Sequence, residues 1–116
     1  MIAQFFISIW RWIVRWLRPV PAPIALQYVE GDDLPGRFSE RTLVVARDHG
    51  ELWVAGMICP CGCGRRVELM LLRGVKPRWD LIVGGDGLPT LHPSVWVKDG
   101  CRSHFWLRRG QIQWCD

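Results

Sequence analysis

The sequence lacks the features that mark several common classes of protein. Its five cysteines are odd in number and partly clustered, and no clear secretory signal precedes them, which argues against a disulfide scaffold and for a reducing compartment. Little net charge remains beyond the first 23 residues. Three of the 15 basic residues lie in that segment, and the rest of the chain carries 12 basic and 11 acidic residues. This near balance leaves no electrostatic footprint for nucleic acid, which we therefore exclude as a partner.

Long regular patterns are also absent. No glycine-rich phosphate loop precedes a helix, no internal repeat or low-complexity tract is present, and no long helical period appears from Ile24 onward. The chain does contain 49% apolar residues, with eight tryptophans, in a length of 116. These values predict one domain that is able to bury a hydrophobic core.

The first 23 residues hold the most apolar stretch of the chain. In MIAQFFISIWRWIVRWLRP the polar residues follow one another at spacings of four, three, four and three, which places them in a narrow stripe on a helix. Pro19, Pro21 and Pro23 then end the helix and form a stiff spacer. We therefore divide the chain into an amphipathic helix with its proline-rich spacer, residues 1–23, and a second part, residues 24–116.

Three placements of this helix remain open. Residues 1–18 fit a membrane surface, with Trp10, Trp12 and Trp16 at headgroup level and the arginines facing anionic lipid. The helix could instead pack its wide apolar face on the core of the chain or on a protein partner. A signal peptide or a spanning helix fits less well, because arginines interrupt the apolar run.

Short β-rich runs separated by turn signals make up the remainder. Two of the turns, RDHGE and RRGQ, are short enough to close hairpins. The pattern predicts a mainly β fold, with a mostly antiparallel sheet folded into a small sandwich or an open barrel. The runs are ALQYVE, TLVVAR, ELWVAGMI, RVELMLL, WDLIV, SVWV, HFWLRR and QIQWC.

Two short segments carry residues of the kind that bind zinc. CPCGCG, residues 59–64, has three cysteines at alternate positions, and GCRSHFW, residues 100–106, has a cysteine and a histidine in C-x-x-H spacing. Zinc prefers tetrahedral sites of thiolate sulfur and imidazole nitrogen, so we expect the two segments to share one Zn²⁺. The candidate ligands are Cys59, Cys61, Cys63, Cys101 and His104.

Four ligands suffice for zinc, so one of these five is in excess. We favour Cys61, Cys63, Cys101 and His104, because Cys59 follows an apolar strand and could point into the core. The remaining cysteine, at position 115, is interpreted as a small buried hydrophobic residue.

Several motifs together resemble a small bacterial family that has been described as a domain of unknown function. The resemblance covers residues 30 to 116 and rests on CPCGCG, PRWDL, TLHPSVW, GCRSHFWL and GQIQW in that order. Members of that family are encoded beside ubiquitin-like proteins and their activating and conjugating enzymes, in operons thought to serve phage defence. The resemblance implies a zinc-dependent, deubiquitinase-like peptidase that acts on a ubiquitin-like protein or its conjugates.

The residues themselves leave two functions open. A hydrolytic zinc needs a free coordination position and a nearby carboxylate, for which Glu68 is the closest candidate in sequence, and Ser94 could support an oxyanion or a bound water. With four protein ligands, the chain would instead be a non-catalytic, zinc-stabilised β module that binds a protein partner, at the membrane surface if the helix binds lipid. Either function is expected in the cytoplasm or peripherally on the inner face of the membrane.

Overall fold

The computed structural model describes residues 22–115, and these form nine β-strands and no helix. The prediction of a mainly β fold is confirmed. The helix predicted over residues 1–18 lies outside the described residues, and the division of the chain at residue 23 stays a prediction. No helix that is long and apolar enough to cross a membrane is found in residues 22–115.

The nine strands form three sheets in the described part of the chain. The first sheet has the order β1-β2-β3-β4, the second pairs β5 with β6, and the third has the order β7-β8-β9. The strands are β1 Ala25–Glu30, β2 Thr42–Asp48, β3 Glu51–Ile58, β4 Arg66–Met70, β5 Asp80–Val83, β6 Pro89–His92, β7 Val95–Trp96, β8 His104–Arg108 and β9 Gln111–Trp114.

Tight turns join the antiparallel neighbours where the sequence predicted hairpins. His49 and Gly50 connect β2 to β3, and both have positive φ angles, 51° and 79°. Two successive left-handed residues give the twist that a two-residue hairpin needs, and Arg109 and Gly110 repeat the arrangement between β8 and β9. Both predicted hairpins are therefore present.

One strand pairing departs from the antiparallel expectation. β1 pairs with β2 in parallel, from Ala25 opposite Thr42 to Glu30 opposite Arg47. The 11-residue segment 31–41 returns the chain to the same end of the sheet, which a hairpin turn cannot do. The other five pairings are antiparallel.

A single core lies between the sheets and fixes which face of each strand is free. On β8, Phe105 and Leu107 are fully buried, whereas His104 and Trp106 are partly exposed. Because side chains alternate across a strand, the inner face of the third sheet belongs to the core and the outer face is available for function. The core also takes residues from the first sheet, among them Leu43, Val45, Ala55 and Leu69.

Candidate functional site

Four cysteines from two separate parts of the chain come together at one end of the domain. Their Sγ atoms all lie within 4.8 Å of one another, and we call this group the thiol cluster: Cys59, Cys61, Cys63 and Cys101. The Sγ of Cys59 is 3.4 Å from that of Cys61 and 3.7 Å from that of Cys101. None of the four forms a disulfide.

The local backbone explains why three of these thiols converge. β3 ends at Ile58, and the amide of Cys59 donates to the carbonyl of Arg65 at 2.8 Å, which closes a tight turn. Gly62 and Gly64 lie in the left-handed region, with φ angles of 92° and 80°. Glycine adopts this conformation without steric cost, so the chain can curl around one point.

The thiols differ in their readiness to ionise. Burial raises the pKa of the Cys59 thiol to about 12, since the surroundings disfavour a thiolate. A hydrogen bond with Ser103 is the main reason why the pKa of Cys101 falls to about 6. A bound cation would stabilise the charged form of all four thiols, including the buried one.

This donor set fits a metal ion. Four sulfur ligands from two loops can complete a tetrahedral shell, and soft thiolate ligands favour zinc among the divalent ions. Cys59, the least certain ligand from the sequence, lies inside the thiol cluster, and Cys115 lies outside it. The fifth predicted ligand, His104, is also outside the group that could hold an ion, and its imidazole has another partner.

The hydrogen-bond partner of the His104 imidazole is Ser94. Its Oγ lies 2.8 Å from the Nε2 of His104, within the range of a short hydrogen bond. Both residues are partly exposed. A serine hydroxyl beside an imidazole nitrogen is the arrangement in which the imidazole can remove the hydroxyl proton, and we call these two residues the dyad.

The register between β7 and β8 creates this contact. The amide of Val97 donates to the carbonyl of Ser103 at 2.7 Å, so the next pair, Trp96 opposite His104, is the non-hydrogen-bonded one. Side chains of such pairs approach closely, and Ser94, two residues before Trp96, lies on the same outer face. Ser94 and His104 are therefore diagonal neighbours across an antiparallel pair.

Two tryptophans support the dyad from different sides. The Nε1 of Trp79 donates to the carbonyl oxygen of Ser94 at 3.2 Å and so restrains the backbone beneath the hydroxyl. The indole of Trp96 stacks on the imidazole of His104, with ring centroids 5.2 Å apart and an angle of 16° between the planes. Among residues 22–115, no carboxylate forms an ion pair with His104.

Ser103 joins the thiol cluster to the dyad. Its Oγ lies 3.2 Å from the Sγ of Cys101 and 3.7 Å from the Sγ of Cys59, and its side chain is 8% exposed. The next residue is His104, so a restraint on Ser103 is a restraint on the backbone that carries the imidazole. The C-x-x-H spacing thus connects a metal-type site to a histidine that lies outside it.

Glu68, the carboxylate suggested by the sequence for proton transfer, lies on β4. It is exposed, and its Oε1 accepts a hydrogen bond from Arg66 at 2.8 Å. No contact in the described residues connects it with Ser94 or His104, so its role stays a prediction. The sequence had offered Ser94 only as an auxiliary group, because its histidine partner could not be identified without the β7–β8 register.

The comparisons with known proteins agree with the motifs that run from residue 59 to residue 114. Residues 30–115 match the model of one family, described as bacterial ubiquitination-like system serine protease (BubE). No curated protein and no solved structure matches the chain. The resemblance drawn from the sequence is confirmed. Because the match covers well over half of the 116 residues of this chain, the chain belongs to the family of bacterial ubiquitination-like system serine proteases.

Proposed function

We propose that the protein is a serine protease in which Ser94 is the nucleophile and His104 is the general base and acid. The observation that carries this proposal is the 2.8 Å contact between Ser94 Oγ and His104 Nε2 on the outer face of the third sheet. The family description, which names a serine protease, supports the same assignment. The two residues supply the minimum that acyl transfer to serine requires.

The chemistry follows from the geometry. As Ser94 Oγ attacks the carbonyl carbon of the scissile bond, its proton passes to Nε2 of His104. The imidazolium then donates this proton to the leaving amine, which departs and leaves an acyl group on the serine. A water molecule then attacks the acyl group while His104 takes a proton from it. The ester bond to Oγ breaks, His104 returns the proton to Ser94, and the new carboxyl terminus leaves.

The thiol cluster has a structural role in this proposal. Zn²⁺ held by all four cysteines would have no open position for water, and such closed sites stabilise folds rather than hydrolyse bonds. It would tie the turn after β3 to the segment before β8 and so hold Ser103 and His104 in place. Zinc dependence is then indirect, through the folded geometry, and differs from the zinc-polarised water suggested by the sequence.

The proposed substrate is a ubiquitin-like protein or one of its conjugates. The family description places its members in a ubiquitination-like system. In this proposal the scissile bond lies at an extended C-terminal tail of the ubiquitin-like protein. β7 is an edge strand of the third sheet and begins directly after Ser94, so a tail that pairs with it would run past the hydroxyl. A role in phage defence, a cytoplasmic location and attachment to the inner membrane face stay predictions.

Cleavage of a ubiquitin-like protein fused to a short C-terminal extension tests the proposal. We expect the full-length protein to cut this fusion, and Ser94→Ala and His104→Gln to lose at least about 10³-fold in kcat/KM. The matched control is Ser39→Ala, which removes the hydroxyl of an exposed loop serine. Metal content is measured in every variant, so that loss of the dyad is separated from loss of zinc.

Two outcomes would contradict the proposal. If Ser94→Ala with full metal content cuts the fusion at the wild-type rate, the serine is not the nucleophile. If the wild-type protein binds the fusion and leaves it uncut, the non-catalytic zinc-stabilised module becomes the better description.

A further inference from the structure

The dyad has no carboxylate partner among residues 22–115. In many serine hydrolases a carboxylate holds the second imidazole nitrogen and stabilises the imidazolium that forms during catalysis. Within this part of the chain, the contacts to the His104 imidazole come from the Ser94 hydroxyl and from an aromatic ring.

Among residues 22–115, the ring of Trp96 stacks on that imidazole. The two rings are nearly parallel, 16° apart, with centroids separated by 5.2 Å. The indole is 57% exposed, so burial of this side chain does not account for its position. Cross-strand pairing with His104 and the stack itself are the contacts that hold it.

The indole face is suited to a cation. The π face of tryptophan carries partial negative charge and attracts cations within about 6 Å of the ring centroid. The Nζ of Lys98 lies 5.4 Å from the centroid of the same ring, within the range of a cation–π contact. An imidazolium formed at His104 would lie at a similar distance.

We propose that Trp96 is the positioning residue of the dyad, in the place that a carboxylate has in a catalytic triad. Its indole holds the plane of the His104 ring so that Nε2 faces Ser94, and it stabilises the imidazolium that forms when the serine proton is transferred. This inference rests on the proposed function, because it assigns a partner to the proposed general base. It adds a residue to the site that makes no bond to the substrate.

Removal of the Trp96 indole should lower the reaction rate moderately. Stabilisation of a cation by an aromatic face is worth a factor of about 2 at an exposed site and about 30 at a desolvated one. Since Trp96 is exposed on one side and stacked on the other, we expect a loss between these limits when the indole is removed. The loss should fall on the chemical step, because the contact strengthens only when His104 becomes charged.

The test uses the full-length protein and a fluorophosphonate probe, which reacts with an activated serine and needs no known substrate. We measure the maximal labelling rate and the half-saturating probe concentration for wild type, Trp96→Leu and Trp96→Phe. Trp96→Leu should lower the maximal rate about 2- to 30-fold with the half-saturating concentration within about twofold of wild type. Trp96→Phe should recover part of the rate, since a phenyl ring is a weaker π face.

Trp114→Leu is the matched control. Trp114 lies on β9 in the same sheet and is similarly exposed, at 54%, but its ring packs edge-on against Phe105 rather than on His104. This variant should keep the wild-type labelling rate. An equal fall in Trp114→Leu and Trp96→Leu would mean that the sheet is merely weakened, which would overturn the inference.

Site-specific replacement of Trp96 by fluorinated tryptophans keeps the shape of the ring while it weakens the negative charge of its face. The labelling rate should fall stepwise as fluorine atoms are added. A rate that is unchanged across this series, or unchanged in a folded Trp96→Leu variant, overturns the inference and leaves the proposed function intact. Labelling of Ser94→Ala at the wild-type rate would instead remove the proposed function itself.

Discussion

Removal of the Ser103 hydroxyl should weaken metal binding without removing a ligand. In Ser103→Ala the Oγ that lies 3.2 Å from the Sγ of Cys101 and 3.7 Å from that of Cys59 is lost. Ser103 itself is only 8% exposed, so water cannot easily replace its hydroxyl. All four cysteines remain available to the metal.

The size of the effect follows from the charge of the thiolates. A hydrogen bond to a charged group contributes about 1.5–3 kcal/mol, and groups that hydrogen-bond to metal ligands change metal affinity about 10- to 100-fold. These two ranges agree, because tenfold in affinity is about 1.4 kcal/mol. We therefore expect the dissociation constant for Zn²⁺ to rise about 10- to 100-fold in Ser103→Ala.

Competition with a chromophoric chelator at fixed pH measures this change. Ser39→Ala, at an exposed loop position, should bind Zn²⁺ as the wild type does. If a folded Ser103→Ala variant binds Zn²⁺ within twofold of wild type, the hydroxyl does not contact ligating thiolates. The Zn²⁺ would then be bound outside the thiol cluster, or bound by it in another geometry.

Three further changes have expected results. Gly56→Ala should lower the free energy of unfolding by about 1–3 kcal/mol in urea titrations, because a Cβ there would clash with the ring of Phe38; an unchanged value would show that the ring moves freely. Leu107→Ala should cost about 2–5 kcal/mol, whereas Ile82→Ala, at an exposed site, should stay within about 0.5 kcal/mol; equal losses would contradict the assigned core. Deletion of residues 1–23 should leave a folded, zinc-binding domain that no longer floats with anionic vesicles, and an aggregated product would instead place that segment in the core.

Local patterns in the sequence were sufficient for the strands and for one half of the metal-type site. On β4, the segment RVELM alternates exposed and buried side chains, as its alternation of polar and apolar residues predicts. The three closely spaced cysteines converge because glycine allows the turn between them. The parallel pairing of β1 with β2 was not predictable, since the intervening segment carries turn signals that are equally consistent with a hairpin. Pairing partners depend on the whole fold rather than on the two strands alone.

The position of His104 shows the limit of spacing arguments. Three residues after Cys101, an imidazole is within reach of a shared metal, and the sequence contains no sign that it faces elsewhere. Strand β8 begins at this residue, and the period of two places its side chain on the outer face, beside Ser94. Only the register of β7 on β8 identifies the partner, because a shift of one residue would move Ser94 to the other face.

Strand β8 places two kinds of constraint on successive residues. His104 and Trp106 lie on the outer face, which carries the site, whereas Phe105 and Leu107 fill the core. Substitutions at the outward positions can therefore alter activity while the domain stays folded, whereas substitutions at the inward positions lower the free energy of unfolding of the whole domain. Substitutions at alternate residues of this single five-residue strand can thus change the activity during evolution. They can also abolish the activity and leave a folded protein that still binds its partner.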